Sequence, residues 1–366
     1  LLVYAMDVMQ ELEIYKKIVD SELEKFFDSK IEEIGDPNDP YSKVTSFLKD
    51  YTLRGGKRIR PAFTYYSYLL FAEADSCLDD VIKASIAHEL KQAYYLIHDD
   101  ITDKSDERRG GPSMHKMLEE WYMQQKDISV EDAKYMGISM AIFVGDQANA
   151  FAYEAITQTK LSKEKRFDVI EILNDTDLDT LHGQVLDIQS GITQKMSTEE
   201  EFLNIHELKS AIYTIRSPLL IGAMLAGASE EEQKILSDYA LPLGQAFQLQ
   251  DDILGLFGNE KKLGKPASSD LAEGKKTLLM IKALENAKHS EKRIINECLG
   301  NPNITESMVK QVQDIVRNTG SLDYSVNLAK DLISESKEYL NQLENVNPDA
   351  KEFLLAFADY MLDREH

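Results

Sequence analysis

The sequence predicts an all-α fold, and three observations carry that prediction. Helix breakers are scarce, with 18 glycines and 9 prolines in 366 residues, and they cluster. Apolar residues recur at helical spacing nearly everywhere, as in Met9, Leu12, Ile14, Tyr15, Ile18 and Leu23, or Val81, Ile82, Ile86, Leu90 and Tyr94. Convincing strands of alternating residues are absent.

The elements follow from the breaks. The opening Leu-Leu-Val-Tyr-Ala precedes Met6 and reads as an added remnant, so fold reasoning begins at residue 6. Helical runs are then punctuated at Gly35-Asp36-Pro37, Gly55-Gly56, Gly110-Gly111-Pro112, Gly258 to Pro266 and Gly300-Asn301-Pro302. About ten to thirteen helical segments lie between these breaks. Two starts carry capping-box spacing, Ser197-Thr198-Glu199-Glu200 and Ser229-Glu230-Glu231-Glu232, each with a serine three residues before a glutamate. With no Pro/Ser/Gly-rich linker and no short-period repeat, one all-α domain over 6–366 is the simplest organisation.

Composition narrows the function. A net charge of −23 argues against general nucleic-acid binding, since phosphate would be repelled by most of the surface. The two cysteines, Cys77 and Cys298, have no metal or redox spacing, which fits a reducing cytoplasm. No apolar run approaches the ~18 residues of a membrane span, and the best, Leu219 to Gly227, is far too short.

Two acidic clusters stand out, His98-Asp99-Asp100-Ile101-Thr102-Asp103 and Gln250-Asp251-Asp252-Ile253-Leu254-Gly255. Each sits on an apolar helical run, where grouped carboxylates are costly without a cation. Asp99 and Asp103 are one helical turn apart and repel, unless a hard cation such as Mg²⁺ reverses the sign. Asp100, next door, is placed as a bridging or supporting group. Tyr95 lies one turn beneath Asp99, about 6 Å deeper, and Gln92 shares that face. Tyr94 falls on the flank. In the second cluster Gln248 and Asp252 are similarly spaced, while Gly255 stands one turn after Asp251, leaving this half of the site less complete.

Cations lie near the acids. Gly55-Gly56-Lys57-Arg58-Ile59-Arg60-Pro61 sets glycine backbone and three cations just before a helix, an arrangement that favours phosphate. Arg108-Arg109-Gly110-Gly111 follows the first cluster, Lys209-Ser210 lies on an amphipathic helix, and Lys265, Lys275 and Lys276 occupy a glycine-bearing loop after the second. These are more cations than one diphosphate requires. Two diphosphates, one of them metal-bound, account for them.

Taken together, Gly55 to Pro61, Gln92 to Gly111, Gly145-Asp146, Gly183-Gln184, Lys209-Ser210, Phe247 to Asp252 and Gly264 to Thr277 resemble the trans-isoprenyl diphosphate synthase (polyprenyl synthetase) family, short-chain type, over about residues 45–290. The resemblance implies an isoprenoid-synthase helical bundle around a deep central cavity, usually a homodimer. It also implies condensation of isopentenyl diphosphate with an allylic diphosphate (dimethylallyl, geranyl or farnesyl). By the same resemblance Asp99, Asp103 and Asp251 would ligate about three Mg²⁺ ions, with Asp100 and Asp252 supporting. Arg108, Lys209 and Lys265 would hold the allylic diphosphate, with Lys275 closing from the loop. Gly56, Lys57, Arg60, Gln92 and Arg109 would hold isopentenyl diphosphate, Gln248 would face the reacting allyl group and Asp146 would lie nearby. Lys209, Gln248, Lys265 and Arg108 are thus the candidate catalytic residues, with Ser210 standing where threonine is usual. Bulk at Tyr94 and Tyr95 implies a short product, farnesyl or geranylgeranyl diphosphate. A terpene cyclase shares the first motif but not the Gly55–Pro61 segment, and a non-catalytic regulatory subunit tends to lose one aspartate motif.

Overall fold

The computed structural model describes residues 7–72, 77–125, 127–192, 197–258 and 269–363. Lys265, the stretch Gly264 to Ser268 and the first five residues lie outside them. The described chain is helical almost throughout. α1 (Val8–Ile34), α2 (Pro40–Leu53), α3 (Ile59–Phe71), α4 (Leu78–Thr102), α5 (Met114–Met123), α6 (Val130–Thr157) and α7 (Lys163–Ile192) come first. α8 (Glu199–His206) then runs into a π-helical segment (Glu207–Arg216), followed by α9 (Ser217–Ala226) and α10 (Glu230–Phe257). The one-turn α11 (Ser269–Ala272), α12 (Leu278–Asn286), α13 (His289–Cys298), α14 (Glu306–Asn318), α15 (Ser321–Asn341) and α16 (Pro348–Asp363) complete the order. Among the described residues the only strands form a tiny antiparallel hairpin, β1 (Glu107–Arg108) paired with β2 (Gly111–Pro112).

The helices form two compact units, 9–68 with 77–171 and 7–8 with 69–72 and 172–363. In the first, α4 packs along α6, and α2 and α5 lean on both. Its core includes Leu23, Phe27, Leu90, Ile97 and Ala148, all buried, each large side chain contributing about 1.5–3 kcal/mol. Phe26, Phe27 and Phe151 meet edge to face there, with centroids 5.6–6.3 Å apart.

In the second unit α10 is the spine, packed along α15 and the π-helical segment. Tyr239 of α10 is fully buried and satisfies its hydroxyl by donating to the Leu354 carbonyl at 2.8 Å. Ile253 and Leu256 form a core with Leu279, Ile295, Val312 and Val316, which fixes the end of α10 that carries the second acidic cluster. Ser229 and Glu232 form the expected capping box. The other box is shifted by one residue, to Thr198 and Glu201, because the Ser197 hydroxyl lies 2.9 Å from that of Ser190 instead. Among the described residues no helix is long and apolar enough to cross a membrane.

Candidate active site

Both acidic clusters lie in the last two turns of long helices, α4 and α10. Carboxylates there oppose the negative end of the helix dipole, at about 0.3–1 kcal/mol each, so their placement works against local stability. Asp99 and Asp103 are partly exposed on one stripe, and the Asp103 N–H caps α4 by donating to the Asp99 carbonyl at 2.8 Å. Asp100, rotated about 100° round the helix from Asp99, is 0% exposed. Its Oδ1 accepts from Arg108 Nε at 2.8 Å and from Arg108 Nη2, and its Oδ2 accepts from the Tyr51 hydroxyl at 2.8 Å. Both oxygens are thus engaged away from the stripe. Burial pushes the Asp100 carboxyl above its usual range, against the pull of Arg108 and Tyr51. Burial works against the Arg108 charge too, but Asp100 raises its pKa overall.

Arg108 belongs to the hairpin, whose turn residues Arg109 and Gly110 have φ of +53° and +72°. Positive φ at both positions is the type I′ turn that matches strand twist, and Arg109 accepts the strain of a conformation rare outside glycine. Its Nη1 donates to the Arg54 carbonyl at 3.2 Å. A Cβ on Gly56, itself at φ +84°, would lie 3.3 Å from that Nη1, so the glycine turn packs directly on Arg109. Burial, with Arg58 and Arg60 nearby, lowers the Arg109 pKa against the pull of Glu89. Arg60 is buried and Lys57 partly exposed. Arg58 is not available to phosphate. It is fully buried, donating to Asp20 Oδ1 at 2.7 Å and Glu89 Oε2 at 2.6 Å. The cationic turn is therefore built around an internal ion pair.

On α4, Gln92 and Tyr95 are partly exposed, as Asp99 is, while Tyr94 is buried with its ring centroid 5.0 Å from those of both Tyr95 and His98, the latter edge-on. His98 reaches α6, with Nε2 3.1 Å from the Ile142 carbonyl and 4.0 Å from Asp146. A Cβ on Gly145 would overlap that ring, which explains the Gly145-Asp146 pair.

In the second unit, Asp251 is partly exposed, and Asp252 is buried with Oδ1 3.3 Å from Gln248 Nε2. Asp252 lines a cavity of about 10 Å³ with Leu256, Leu271, Lys275, Thr277 and Met280, so it faces the lysine loop's base. Lys209 and Ser210 lie on the π-helical segment, where an ordinary amphipathic helix was expected. Such segments are rare and concentrate at functional sites. Two glycines clamp it: a Cβ on Gly183 of α7 would sit 2.8 Å from Lys209 Cα, and one on Gly244 of α10 would meet Ala211 Cα at 2.6 Å. Lys209 Nζ donates to Asp187 Oδ2 at 2.6 Å, one turn beyond Gly183. Beside them, burial lowers the His206 pKa to about 4, keeping the ring neutral. Lys275 pairs with Glu273 at 2.7 Å, and Lys276 donates to the Ser190 carbonyl at 2.7 Å.

The same residues can now be set beside known proteins. The polyprenyl synthetase family model matches residues 42–316. The chain belongs to the polyprenyl synthetase family. A short chain isoprenyl diphosphate synthase of Methanocaldococcus jannaschii is 36% identical over 78% of this chain and 80% of that protein. A geranylgeranyl diphosphate synthase of Methanosarcina mazei is 35% identical over 88% of this chain and 90% of that protein. The crystal structure of a geranylgeranyl pyrophosphate synthase from Corynebacterium glutamicum, complexed with isoprenyl diphosphate and magnesium, superposes with a TM-score of 0.90 at 29% identity, covering 98% of this chain and all of that one. The enzyme is accordingly an all-α prenyltransferase. Tyr51, Arg54, Asp187 and Glu273 were missed as site neighbours. Only Asp187, four residues after Gly183, gave a local signal that sequence reading can find.

Proposed function

We infer that this enzyme condenses isopentenyl diphosphate with an allylic diphosphate (dimethylallyl, geranyl or farnesyl) to give farnesyl or geranylgeranyl diphosphate. The observation that carries this reading is the first cluster. Asp99 and Asp103 share one partly exposed stripe, while Asp100 is withdrawn to anchor Arg108 beside them. Two hard oxygen ligands with a fixed cation at hand suit Mg²⁺ that also takes phosphate oxygens, the usual coordination of this ion. No set of three or more carboxylate, imidazole or thiol groups closes on one point among the described residues. The magnesium complexed in the related Corynebacterium glutamicum structure supports the same ion here, and about three ions suit a bound diphosphate. When bound, Mg²⁺ supplies Lewis-acid stabilisation of the departing diphosphate.

The remaining roles are those that the family resemblance implies. Asp99, Asp103 and Asp251 are the metal carboxylates, and Asp252 supports from its buried place. Arg108, Lys209, Lys265 and Lys275 bind the allylic diphosphate and stabilise charge as the C–O bond ionises. Gly56, Lys57, Arg60, Gln92 and Arg109 hold isopentenyl diphosphate so that its double bond meets the allylic cation. Gln248 and Ser210 flank the reacting group, and the Tyr94–Tyr95 pair limits tail length. Both acidic motifs are present, which argues against a non-catalytic subunit.

Exposed apolar stripes support a homodimer. α6 shows Tyr135, Ile142 and Phe143, with Tyr135 70% exposed, and α7 shows Leu178, Leu181, Val185 and Ile188. Its two thiols, Cys77 and Cys298, suit the cytoplasm. The reading is tested by incubating folded protein with Mg²⁺, labelled isopentenyl diphosphate and each primer. Extension supports it, and no extension with any primer overturns it.

A further inference from the structure

The carboxyl end of α2 grips the Arg108 hairpin at two points. Arg54 Nη1 donates to the Pro112 carbonyl at 2.7 Å and to the Arg108 carbonyl at 3.4 Å, fixing the hairpin backbone. Tyr51, one turn earlier and buried, reaches the guanidinium of Arg108 indirectly, through Asp100 Oδ2. Arg108 spends one edge, Nε and Nη2, on Asp100 Oδ1, while its side chain stays 30% exposed. A planar guanidinium held along one edge can turn only with its partner carboxylate. Asp100 is therefore the hinge pin of that plane, and the Tyr51 hydroxyl fixes the pin's remaining oxygen.

We propose that Tyr51 is a positioning residue for diphosphate binding: it locks Asp100, which holds the Arg108 guanidinium in the orientation that meets the allylic diphosphate, and Asp100 does this instead of ligating metal. The proposal rests on the prenyltransferase reading of Arg108. It gives Asp100 a role different from that of Asp99 and Asp103, although the three are nearly adjacent in sequence. A loss at Tyr51 should act through Arg108 alone.

The experiment is a double-mutant cycle with a magnesium titration on the full chain. Tyr51→Phe removes one hydroxyl from a buried site and keeps the ring, so thermal melting first establishes that it folds. It should lower kcat/KM for the allylic diphosphate about ten- to 100-fold, the scale of one hydrogen bond to a charged group. KM for isopentenyl diphosphate should change less than about twofold. In an Arg108→Ala background the same substitution should cost almost nothing, because residues acting through one partner are not additive. Half-saturating Mg²⁺ should be unchanged in Tyr51→Phe and Asp100→Asn but raised in Asp103→Asn. Equal losses with and without Arg108, or an Asp100→Asn shift in Mg²⁺ requirement matching that of Asp103→Asn, would overturn the proposal. Calorimetric titration with inorganic diphosphate and Mg²⁺ separates it from the functional reading. An unextended primer with wild-type protein would sink the reading, whereas Tyr51→Phe weakening diphosphate binding only when Arg108 is present would still support the anchor.

Discussion

Gly183→Ala tests the π-helical segment that carries Lys209. In an unconstrained helix interior this change stabilises by up to ~1 kcal/mol, because alanine is the better helix former. At Gly183 the added Cβ would sit 2.8 Å from Lys209 Cα, 2.9 Å from the Leu208 carbonyl carbon and closer still to the Lys209 nitrogen. These are backbone atoms with no rotamer to yield, so the segment must retreat by roughly 1 Å or more to reach ordinary contact. Overpacking of this kind costs about 1–3 kcal/mol, leaving a net destabilisation of about 0–2 kcal/mol after the helix gain. The larger effect should be on rate, since a displacement near 1 Å in a positioned group can cost about 100-fold. Gly191, on the same helix with nothing within 4 Å of its Cβ position, is the control. Urea unfolding and steady-state prenyl transfer should separate the two: Gly191→Ala gains stability and keeps kcat, while Gly183→Ala loses kcat by one to two orders of magnitude. A Gly183→Ala enzyme with the stability gain and the kcat of the control would refute the close approach.

Three further outcomes follow from the same geometry. Asp187→Asn should change stability by under about 1 kcal/mol, because its pair with Lys209 is partly solvated, yet lower kcat about tenfold; a loss of stability without loss of rate would contradict this. His88 is buried beside Arg60 and Lys91, and burial lowers its pKa to about 3, so it is neutral when folded while the unfolded chain takes up a proton near pH 6.5. Its contribution is therefore complete above pH 6.5 and is lost as pH falls from there toward 3, at up to ~1.4 kcal/mol per pH unit, and His88→Gln should flatten the urea-midpoint profile between pH 7 and 5. Parallel profiles would refute it. Tyr95→Ala should lengthen the prenyl product by at least one five-carbon unit on chromatography, and unchanged length would remove Tyr95 as a limit to growth.

Much of this was legible in the sequence because helices write their period into it. The run Val81 to Tyr94 and the breaks at Gly55-Gly56 and Gly110-Gly111 place α3 and α4 within a few residues. The hairpin itself left no trace, since strands of two residues cannot show alternation. The π-helical segment looked like an α-helix because its apolar residues Leu208, Ala211, Ile212 and Ile215 fall at i, i+3, i+4 and i+7, the α-helical spacing. Asp99 and Asp100 are alike in sequence, and only their separation round α4 sends one outward and the other into the core. Tyr51 lies 49 positions from Asp100, so its role depends on tertiary packing that no local pattern records. Arg58 read as one more phosphate cation, but its positive φ of 54° turns it inward onto Asp20 and Glu89.

If Asp99 and Asp103 hold Mg²⁺ as proposed, prenyl transfer depends on both carboxylates and on the ion. The most direct test is transfer from labelled isopentenyl diphosphate in wild-type and Asp99→Asn/Asp103→Asn protein across a magnesium titration. The wild type should give farnesyl or geranylgeranyl diphosphate, dependent on Mg²⁺, and the folded double variant should react at least about 100-fold more slowly. Undiminished transfer by that variant, or none by the wild type with any allylic primer, would contradict this reading.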